Sequence, residues 1–482
     1  MHGSFVFIKK YKSLSIELKA VLWFFVCNVL QKGIQYITLP FFSRMLSVEE
    51  YGDYVVFISW LSVISIFATL NLSAGMYMTG MARYEEKRDE FSSNMIGLSA
   101  FFTMVVGIIY LIFYKQISCF IDLDRVFVIV IFIHSFFSPL FLFWSAHERF
   151  ELRYKELTAV TVLGTLASPI MSFVLIFNMT NRVLAICIGY ISGQVCMGAY
   201  CGIKQLLKSS RLFNKSMWLE ALAFNIPLVP HYLSYVVLGQ ADRVMISNMC
   251  GQYEAGIYGF AYQISNAINM LTAALDSAFS PQIYMEMKNQ KNEVAKKINN
   301  ILILYVAIAT VVALIAPEMV LLFGSAKYIE AKWVMPSIIL SSYFLFLAGL
   351  FMKVEFYFKK NIYITSASAA IAIINIVLNY FFIRWFGYIA ASYTTLFSYA
   401  CFAIIHYVFM KRTIKQEGLN TTVFDTKTIT SMSIFVVFIL AIILFAYSLG
   451  FYVRYAIVII MVITGIINKN RLIGLLKERK TE

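Results

Sequence analysis

Apolar runs of bilayer length recur along the whole chain, and they limit its fold more than any other feature. The hydrocarbon core of a bilayer is about 30 Å thick, so a helix needs about 20 apolar residues to cross it. Fourteen such runs, joined by short loops, predict an all-α, polytopic integral membrane protein with about 14 transmembrane helices. Their approximate spans are 19–41, 53–79, 94–114, 126–146, 157–177, 183–203, 221–241, 255–279, 300–323, 334–352, 362–383, 388–410, 429–449 and 451–468.

The basic residues are sorted between alternate connections. Thirty of the 40 Lys and Arg residues lie at the termini or in even-numbered connections, nine lie in odd-numbered connections, and Lys32 lies within the first run. By the positive-inside rule, this sorting predicts that both termini are cytoplasmic and that the number of helices is even. It also accounts for the +14 net charge without a basic patch, so no nucleic-acid partner is expected.

An internal repeat divides the chain. Residues 44–54 recur at 248–258, an offset of 204, and each copy links the first and second helices of a six-helix set. Because six is even, both copies have the same orientation, which predicts two pseudo-symmetric lobes with a transport site between them. The identical positions are Met45 and Met249, Glu50 and Glu254, Gly52 and Gly256, and Tyr54 and Tyr258. The predicted parts are an N-lobe (1–213), a C-lobe (214–410) and an additional helix pair with a cytoplasmic tail (411–482).

One face of the first helix is polar. Asn28, Gln31, Lys32 and Gln35 are spaced i, i+3, i+4, i+7, so they share a face. Lys32 lies about halfway along the run. Inserting a charged side chain at that depth of the bilayer costs about 2.5–3.5 kcal/mol of free energy, so Lys32 needs a partner or a water-filled cavity. We therefore predict that these four residues bind substrate in a central cavity. The alternatives are a structural ion pair for Lys32 and a seam of hydrogen bonds between helices.

The C-lobe supplies further candidates for the same cavity. Helix 8 carries Asn266 and Asn269, and helix 7 carries His231 directly after Pro230. A proline in mid-membrane frees a backbone carbonyl, which is tolerated where polar groups or water meet it. Asn375 and Asn379 of helix 11 lie one turn apart and could equally join neighbouring helices by hydrogen bonds.

Charged residues near the ends of helices suggest a gate and a coupling site. Arg44, Asp242 and Arg243 lie near the predicted outer face and are candidates for an outer gate, with an ordinary interfacial role as the alternative. Asp276 lies near the cytoplasmic end of helix 8. We predict that it couples transport to an ion, whereas the alternative is a side chain that snorkels to the membrane surface.

No arrangement of residues indicates catalysis. The chain has no Gly-rich phosphate loop, no H-E-x-x-H and no paired carboxylates in a plausible pocket. Its seven cysteines fall mostly within apolar runs and lack the spacing of metal ligands. The sequence therefore predicts no enzyme, no cofactor and no metal site.

Two segments, at 39–54 and 242–261, resemble the signatures of a known family. The first has Leu39, Pro40, Arg44, Leu46, Glu50, Tyr51, Gly52 and Tyr54 at the family's spacing, and the second has Asp242, Arg243, Gly256, Tyr258 and Ala261. In this pattern the chain resembles the O-antigen-type, polysaccharide-biosynthesis flippases of the multidrug/oligosaccharidyl-lipid/polysaccharide exporter superfamily.

The resemblance implies a function and a location. Such a flippase moves an undecaprenyl-pyrophosphate-linked oligosaccharide from the cytoplasmic to the outer leaflet of the bacterial plasma (inner) membrane by alternating access. The product serves O-antigen, capsule or a related polysaccharide. Membrane lipids, a coupling ion (proton or sodium), a polysaccharide polymerase and a chain-length regulator are the implied partners.

Three other functions are compatible with this topology to different degrees. A multidrug or cation antiporter of the same superfamily is disfavoured, because the first helix has no Asp or Glu between Ala20 and Leu46. A lipid II flippase has the same architecture and handles the same chemistry, so it stays open. A membrane polymerase or glycosyltransferase needs a large outer loop, and the outward loops here are short.

Overall fold

The computed structural model describes residues 15–73, 75–289, 294–418 and 423–467. Within these ranges the chain is helical and has no strand, which confirms the predicted all-α membrane class. Twelve helical segments are long and apolar enough to cross a bilayer. A thirteenth, Phe451–Ile467, is apolar but only 17 residues long.

The α-helices are numbered here in chain order. They are α1 (Ile16–Met45), α2 (Val48–Thr69), α3 (Met76–Arg83), α4 (Arg88–Ile112), α5 (Tyr114–Ile121), α6 (Arg125–Phe150), α7 (Tyr154–Asn178), α8 (Arg182–Lys208), α9 (Lys215–Asn225), α10 (Val229–Met249), α11 (Gln252–Ser265), α12 (Ile268–Asn289), α13 (Val294–Leu314), α14 (Ala316–Phe323), α15 (Met335–Tyr357), α16 (Asn361–Phe386), α17 (Ala390–Gln416), α18 (Thr426–Ser448) and α19 (Phe451–Ile467). Short 3₁₀ helices occupy Glu85–Lys87, Ile226–Leu228 and Ala326–Trp333.

The eighth predicted run is a broken helix. Its first part forms α11 and its second part forms α12. The backbone between the two helices forms tighter i→i−3 hydrogen bonds. The N–H of Ala267 donates to Ile264, and the N–H of Asn269 donates to Asn266. Discontinuous helices of this kind are common at the substrate sites of transporters, because the break exposes backbone polar groups.

The contacts of the chain divide it into two compact units, which meet in sequence at Val236 and Val237 within α10. Residues 214–236 therefore belong to the first unit. The predicted lobe boundary at residue 213 rests on the repeat, and the three-part division stays a prediction.

Close helix packing holds the first unit together. In it, α1 packs on α7, α7 on α8, and α8 on α6, while α2 contacts α4 and α6. A Cβ atom at Gly193 of α8 would overlap the carbonyl oxygen of Gly164, and one at Gly198 would overlap that of Phe137. Small residues thus bring the helix backbones together, as is usual within membranes.

The second unit is built around α15. This helix contacts α11, α12, α13, α17 and α18. In its most apolar stretch of 18 residues, 83% of the residues are buried. The C-terminal helix pair α18–α19 is joined to the rest of this unit by Arg454. Its guanidinium forms a bidentate ion pair with the carboxylate of Glu318, with N···O distances of 2.8 and 2.9 Å. Arg454 also donates to the carbonyl of Leu314 at 3.0 Å.

The structure reproduces the repeat in its helix boundaries. Helix α1 ends at Met45 and α10 ends at Met249, while α2 begins at Val48 and α11 begins at Gln252. Both pairs of boundaries are separated by the same 204 positions as the sequence motif. The repeated segment therefore encodes the same connection between two helices in each unit.

The two copies cap the second helix differently. In the first copy, the Ser47 N–H donates to the Glu50 carboxylate at 2.7 Å, and the Glu50 N–H donates to Ser47 Oγ at 3.1 Å. This is a capping box. In the second copy, Gly251 occupies the cap with φ +127°, a backbone conformation that favours glycine.

Replacing Ser47 by alanine should therefore lower the free energy of unfolding by about 1 kcal/mol, the usual contribution of an N-cap side chain. Ser47→Thr should lower it less, because threonine keeps the hydroxyl. Thermal unfolding in detergent measures both. Equal stability of wild type and Ser47→Ala would contradict the capping role.

Candidate functional site

The polar face of α1 lies at the surface of the first unit. Asn28, Lys32 and Gln35 are exposed, and Gln31 is half-buried. Lys32 forms no hydrogen bond or ion pair with any residue in the described ranges, so no structural ion pair is found there. The four side chains are thus available to a ligand.

Arg44 is exposed in the last turn of α1. A cation at this position interacts favourably with the partial negative charge at the C-terminal end of a helix. The geometry is compatible with both the gate and the interfacial role, so the gate stays a prediction.

Asp242 lies at the centre of a buried polar network in the second unit, which we call the Asp242 cluster. Its carboxylate accepts hydrogen bonds from Tyr258 Oη at 2.6 Å, Asn379 Nδ2 at 2.8 Å and Thr395 Oγ1 at 2.9 Å. Asn379 Nδ2 also donates to Asn375 Oδ1 at 3.2 Å. All five residues are buried, and they join α10, α11, α16 and α17.

Arg243 is also buried but has different partners from Asp242. Its guanidinium lies 4.0 Å from the centre of the Tyr262 ring, and its Nη1 donates to the Gly239 carbonyl at 2.5 Å and to the Gln240 amide. Within the described residues, Asp242 and Arg243 do not form an ion pair with each other. These neighbours in sequence therefore have different partners, although both contact tyrosines of α11.

The two asparagines of helix 8 lie at its break. Asn266 caps the end of α11, and Asn269 lies in the first turn of α12 and is exposed. Asn269 Nδ2 donates to Asn266 Oδ1 at 2.9 Å. The break thus presents amide groups beside backbone that has left the regular helical hydrogen-bond pattern.

Asp276 forms an intramolecular ion pair. Its Oδ2 lies 2.8 Å from Lys353 Nζ, and both side chains are partly buried between α12 and α15. The pair provides a counter-charge for each group. An ion-coupling role for Asp276 would require the pair to open, and it stays a prediction.

A cavity of about 480 Å³ lies within the first unit, between α2, α6 and the first part of α10. His231 lines it together with Tyr232 from the same helix, and His134 and Ser138 line it from α6. Its volume is in the range usual for small-molecule sites. The polar face of α1 does not contribute to this lining among the described residues.

Of the residues that line this cavity, His231 alone was among the predicted site residues. A signal was present, because Ser62, Ser65 and Thr69 of α2 are spaced i, i+3, i+7 and thus share a helix face. No titratable residue marked that face, so it was not recognised as a candidate.

Multiple bilayer-length helices, a repeated helix connection and polar side chains within the membrane define a multi-pass membrane protein with a transporter-type fold. The sequence profile described as polysaccharide biosynthesis protein matches residues 18–287, more than half of the chain. The chain belongs to this polysaccharide biosynthesis protein family, which confirms the predicted resemblance.

Curated relatives cover much of the chain at low identity. The Lsg locus putative protein 1 of Haemophilus influenzae is 23% identical over 372 residues, which is 73% of this chain and 87% of the relative. An uncharacterized membrane protein of Methanocaldococcus jannaschii is 23% identical over 290 residues, 55% of this chain and 67% of the relative.

Solved structures share the fold. The lipid II flippase MurJ matches with a TM-score of 0.66 and 14% identity over 94% of this chain and 100% of its own. A multidrug resistance MATE family transporter of the MOP superfamily matches with a TM-score of 0.62 and 11% identity over 82% of this chain and 98% of its own. At these identities the likeness concerns the fold and leaves the substrate open.

Proposed function

We propose that the protein is a flippase that moves an undecaprenyl-pyrophosphate-linked oligosaccharide from the cytoplasmic to the outer leaflet by alternating access. The lipid would be a precursor of O-antigen, capsule or a related polysaccharide. The proposal places the chain in a bacterial plasma membrane with both termini in the cytoplasm. A polymerase and a chain-length regulator would use its product.

The observation that carries this proposal is the exposed Lys32 on the polar face of α1. A pyrophosphate cannot enter hydrocarbon unless cations and hydrogen-bond donors replace its water. Lys32 supplies the charge, and the amides of Asn28, Gln31 and Gln35 supply donors. Family membership in polysaccharide biosynthesis supports a glycan as the remainder of the substrate.

The charge of α1 also separates this function from cation transport. Glu17, near its beginning, is the only acidic residue in the helix, and none lies between Ala20 and Leu46. A cationic drug on this face would be repelled by Lys32. A lipid II flippase is not separated by this argument, because lipid II also carries a pyrophosphate and sugars.

Transport in proteoliposomes tests the proposal. The full chain should move undecaprenyl pyrophosphate carrying a neutral oligosaccharide across the bilayer, and it should not move a cationic dye. Lipid II in a parallel sample tests the nearest alternative. Movement of lipid II alone, or of the dye alone, would contradict the proposal.

Asp276→Asn is expected to change the dependence of this transport on a proton or sodium gradient, because it removes the negative charge that pairs with Lys353. Initial rates at imposed gradients measure the effect. Glu417→Gln is a matched control, because Glu417 forms a similar ion pair with Lys360 at 2.9 Å and has a similar exposure. If gradient dependence is unchanged in Asp276→Asn, the residue is only a structural partner of Lys353.

A further inference from the structure

The cavity in the first unit has an uncharged lining. Its side chains are hydroxyl, amide, imidazole, aromatic and aliphatic groups, and no Asp, Glu, Lys or Arg from the described part of the chain lines it. A lining without a counter-charge binds a charged ligand poorly, since the ligand's water is not replaced by an opposite charge. The cavity therefore favours a neutral, polar ligand.

The hydroxyl groups of α2 present acceptors to this cavity. Ser62 Oγ donates to the Ile58 carbonyl at 2.8 Å, and Thr69 Oγ1 donates to the Ser65 carbonyl at 2.7 Å. A hydroxyl has one hydrogen to donate, so Ser62 Oγ keeps only its lone pairs for another partner. Thr69 Oγ1 already accepts from the Asn71 N–H at 3.2 Å, so it keeps one lone pair. A ligand must donate to them.

His134 also lines the cavity. Its Nε2 lies 2.5 Å from Gln194 Oε1, and an amide oxygen only accepts, so Nε2 carries the hydrogen. Only 7% of the residue is exposed, and Nδ1 is buried without a hydrogen-bond partner among the described residues, so it lies within the wall and not on the cavity surface.

The backbone of α6 contributes another acceptor. Pro139, which lines the cavity, has no N–H, so the carbonyl of Ser135 lacks its usual helical donor. Ser135 lines the cavity as well, and Ser138 forms no hydrogen bond within the part of the chain that the structure describes. An acceptor-rich wall suits a ligand with many O–H donors and disfavours an anionic phosphate, which has none.

We propose that this cavity is a binding subsite for an uncharged, hydroxyl-rich segment of the glycan, with Ser138 Oγ in contact with a sugar hydroxyl. The inference rests on the proposed flippase function and divides the substrate between two places. The pyrophosphate binds at Lys32, and the neutral sugars bind in the cavity.

Two lipid probes separate these roles in proteoliposomes of the full chain. One is a prenyl pyrophosphate that carries a neutral disaccharide, and the other is the same prenyl pyrophosphate without sugar. Ser138→Ala should slow movement of the first by about tenfold, the upper cost of one lost hydrogen bond, and leave the second unchanged. Ser192→Ala is the matched control, because Ser192 lies on α8 and is not one of the residues that line the cavity.

An equal loss for both probes, or no loss for either, would overturn the subsite. Ser138→Ala keeps this test independent of folding, since the variant removes one hydroxyl that has no hydrogen-bond partner among the described residues.

A separate measurement applies if the wild type moves neither probe, a result that would refute the proposed function. The cysteine of Ser138→Cys can be alkylated with a maleimide in the presence of free neutral disaccharides, and peptide mass spectrometry reports its labelling. Slower labelling with the sugars supports the subsite without any transport. Labelling that is unaffected by every disaccharide would overturn it.

Discussion

Lys32→Ala is expected to reduce transport of the pyrophosphate-linked glycan by about thirtyfold or more. Removal of one member of a charged, hydrogen-bonded pair in a site shielded from water usually costs about 2 kcal/mol or more. The lost partner here is the only cation on the polar face of α1. Initial rates in proteoliposomes and the amount of surface polymer in cells both measure the effect.

The same substitution should not destabilise the fold, and this separates loss of function from misfolding. A lysine in mid-membrane costs about 2.5–3.5 kcal/mol, and Lys32 has no partner in the described residues to offset that cost. Lys32→Met should therefore unfold at the same temperature as the wild type or higher. Lys32→Arg, which keeps the charge, should retain most of the transport. Normal surface polymer in Lys32→Ala would remove Lys32 from the mechanism.

Asp242→Ala is expected to produce the largest loss of stability, about 3 kcal/mol or more. It leaves the donors of Tyr258, Asn379 and Thr395 buried without their acceptor, and each such group costs about 1–3 kcal/mol. Thermal unfolding in detergent measures the loss. Asp124→Ala is the control, because Asp124 is exposed at the start of α6 and its side chain does not cap the helix.

Asp242→Asn separates the structural role from the predicted outer gate. The amide keeps one acceptor oxygen but brings an NH₂ group toward donors, so we expect an intermediate loss of stability. A gate role predicts a further effect, which is slower release of substrate by protein that is still folded. If Asp242→Ala unfolds at the temperature of the wild type, the Asp242 cluster does not stabilise the fold.

The sequence predicted the features that depend on residues close to one another along the chain. Bilayer-length apolar runs indicate helices because backbone groups in hydrocarbon must find partners within their own segment. The offset of 204 placed the helix ends at Met45 and Met249 in corresponding positions, as the structure has them. Family membership was likewise evident from short motifs.

The structure revealed contacts that join residues distant in sequence. Asp242 lies 137 positions before Asn379 in the chain, and no local pattern links the two residues. Tyr258, 16 positions after Asp242, belongs to the same motif, but the motif does not show that the two side chains bond. The break at Asn266 is similar, because it contains neither proline nor glycine and depends on what surrounds the helix. Local spacing does not determine such features.

The sequence by itself determined that this chain is an all-helical membrane protein of the polysaccharide biosynthesis family with a lysine in the middle of its first helix. Only the tertiary structure decided that this lysine has no partner among the described residues, that Asp242 is buried among three donors and that α2, α6 and α10 line an uncharged cavity. The physical reason is that hydrophobicity and charge act on each segment separately, whereas a hydrogen-bond network or a cavity forms only when several helices pack together.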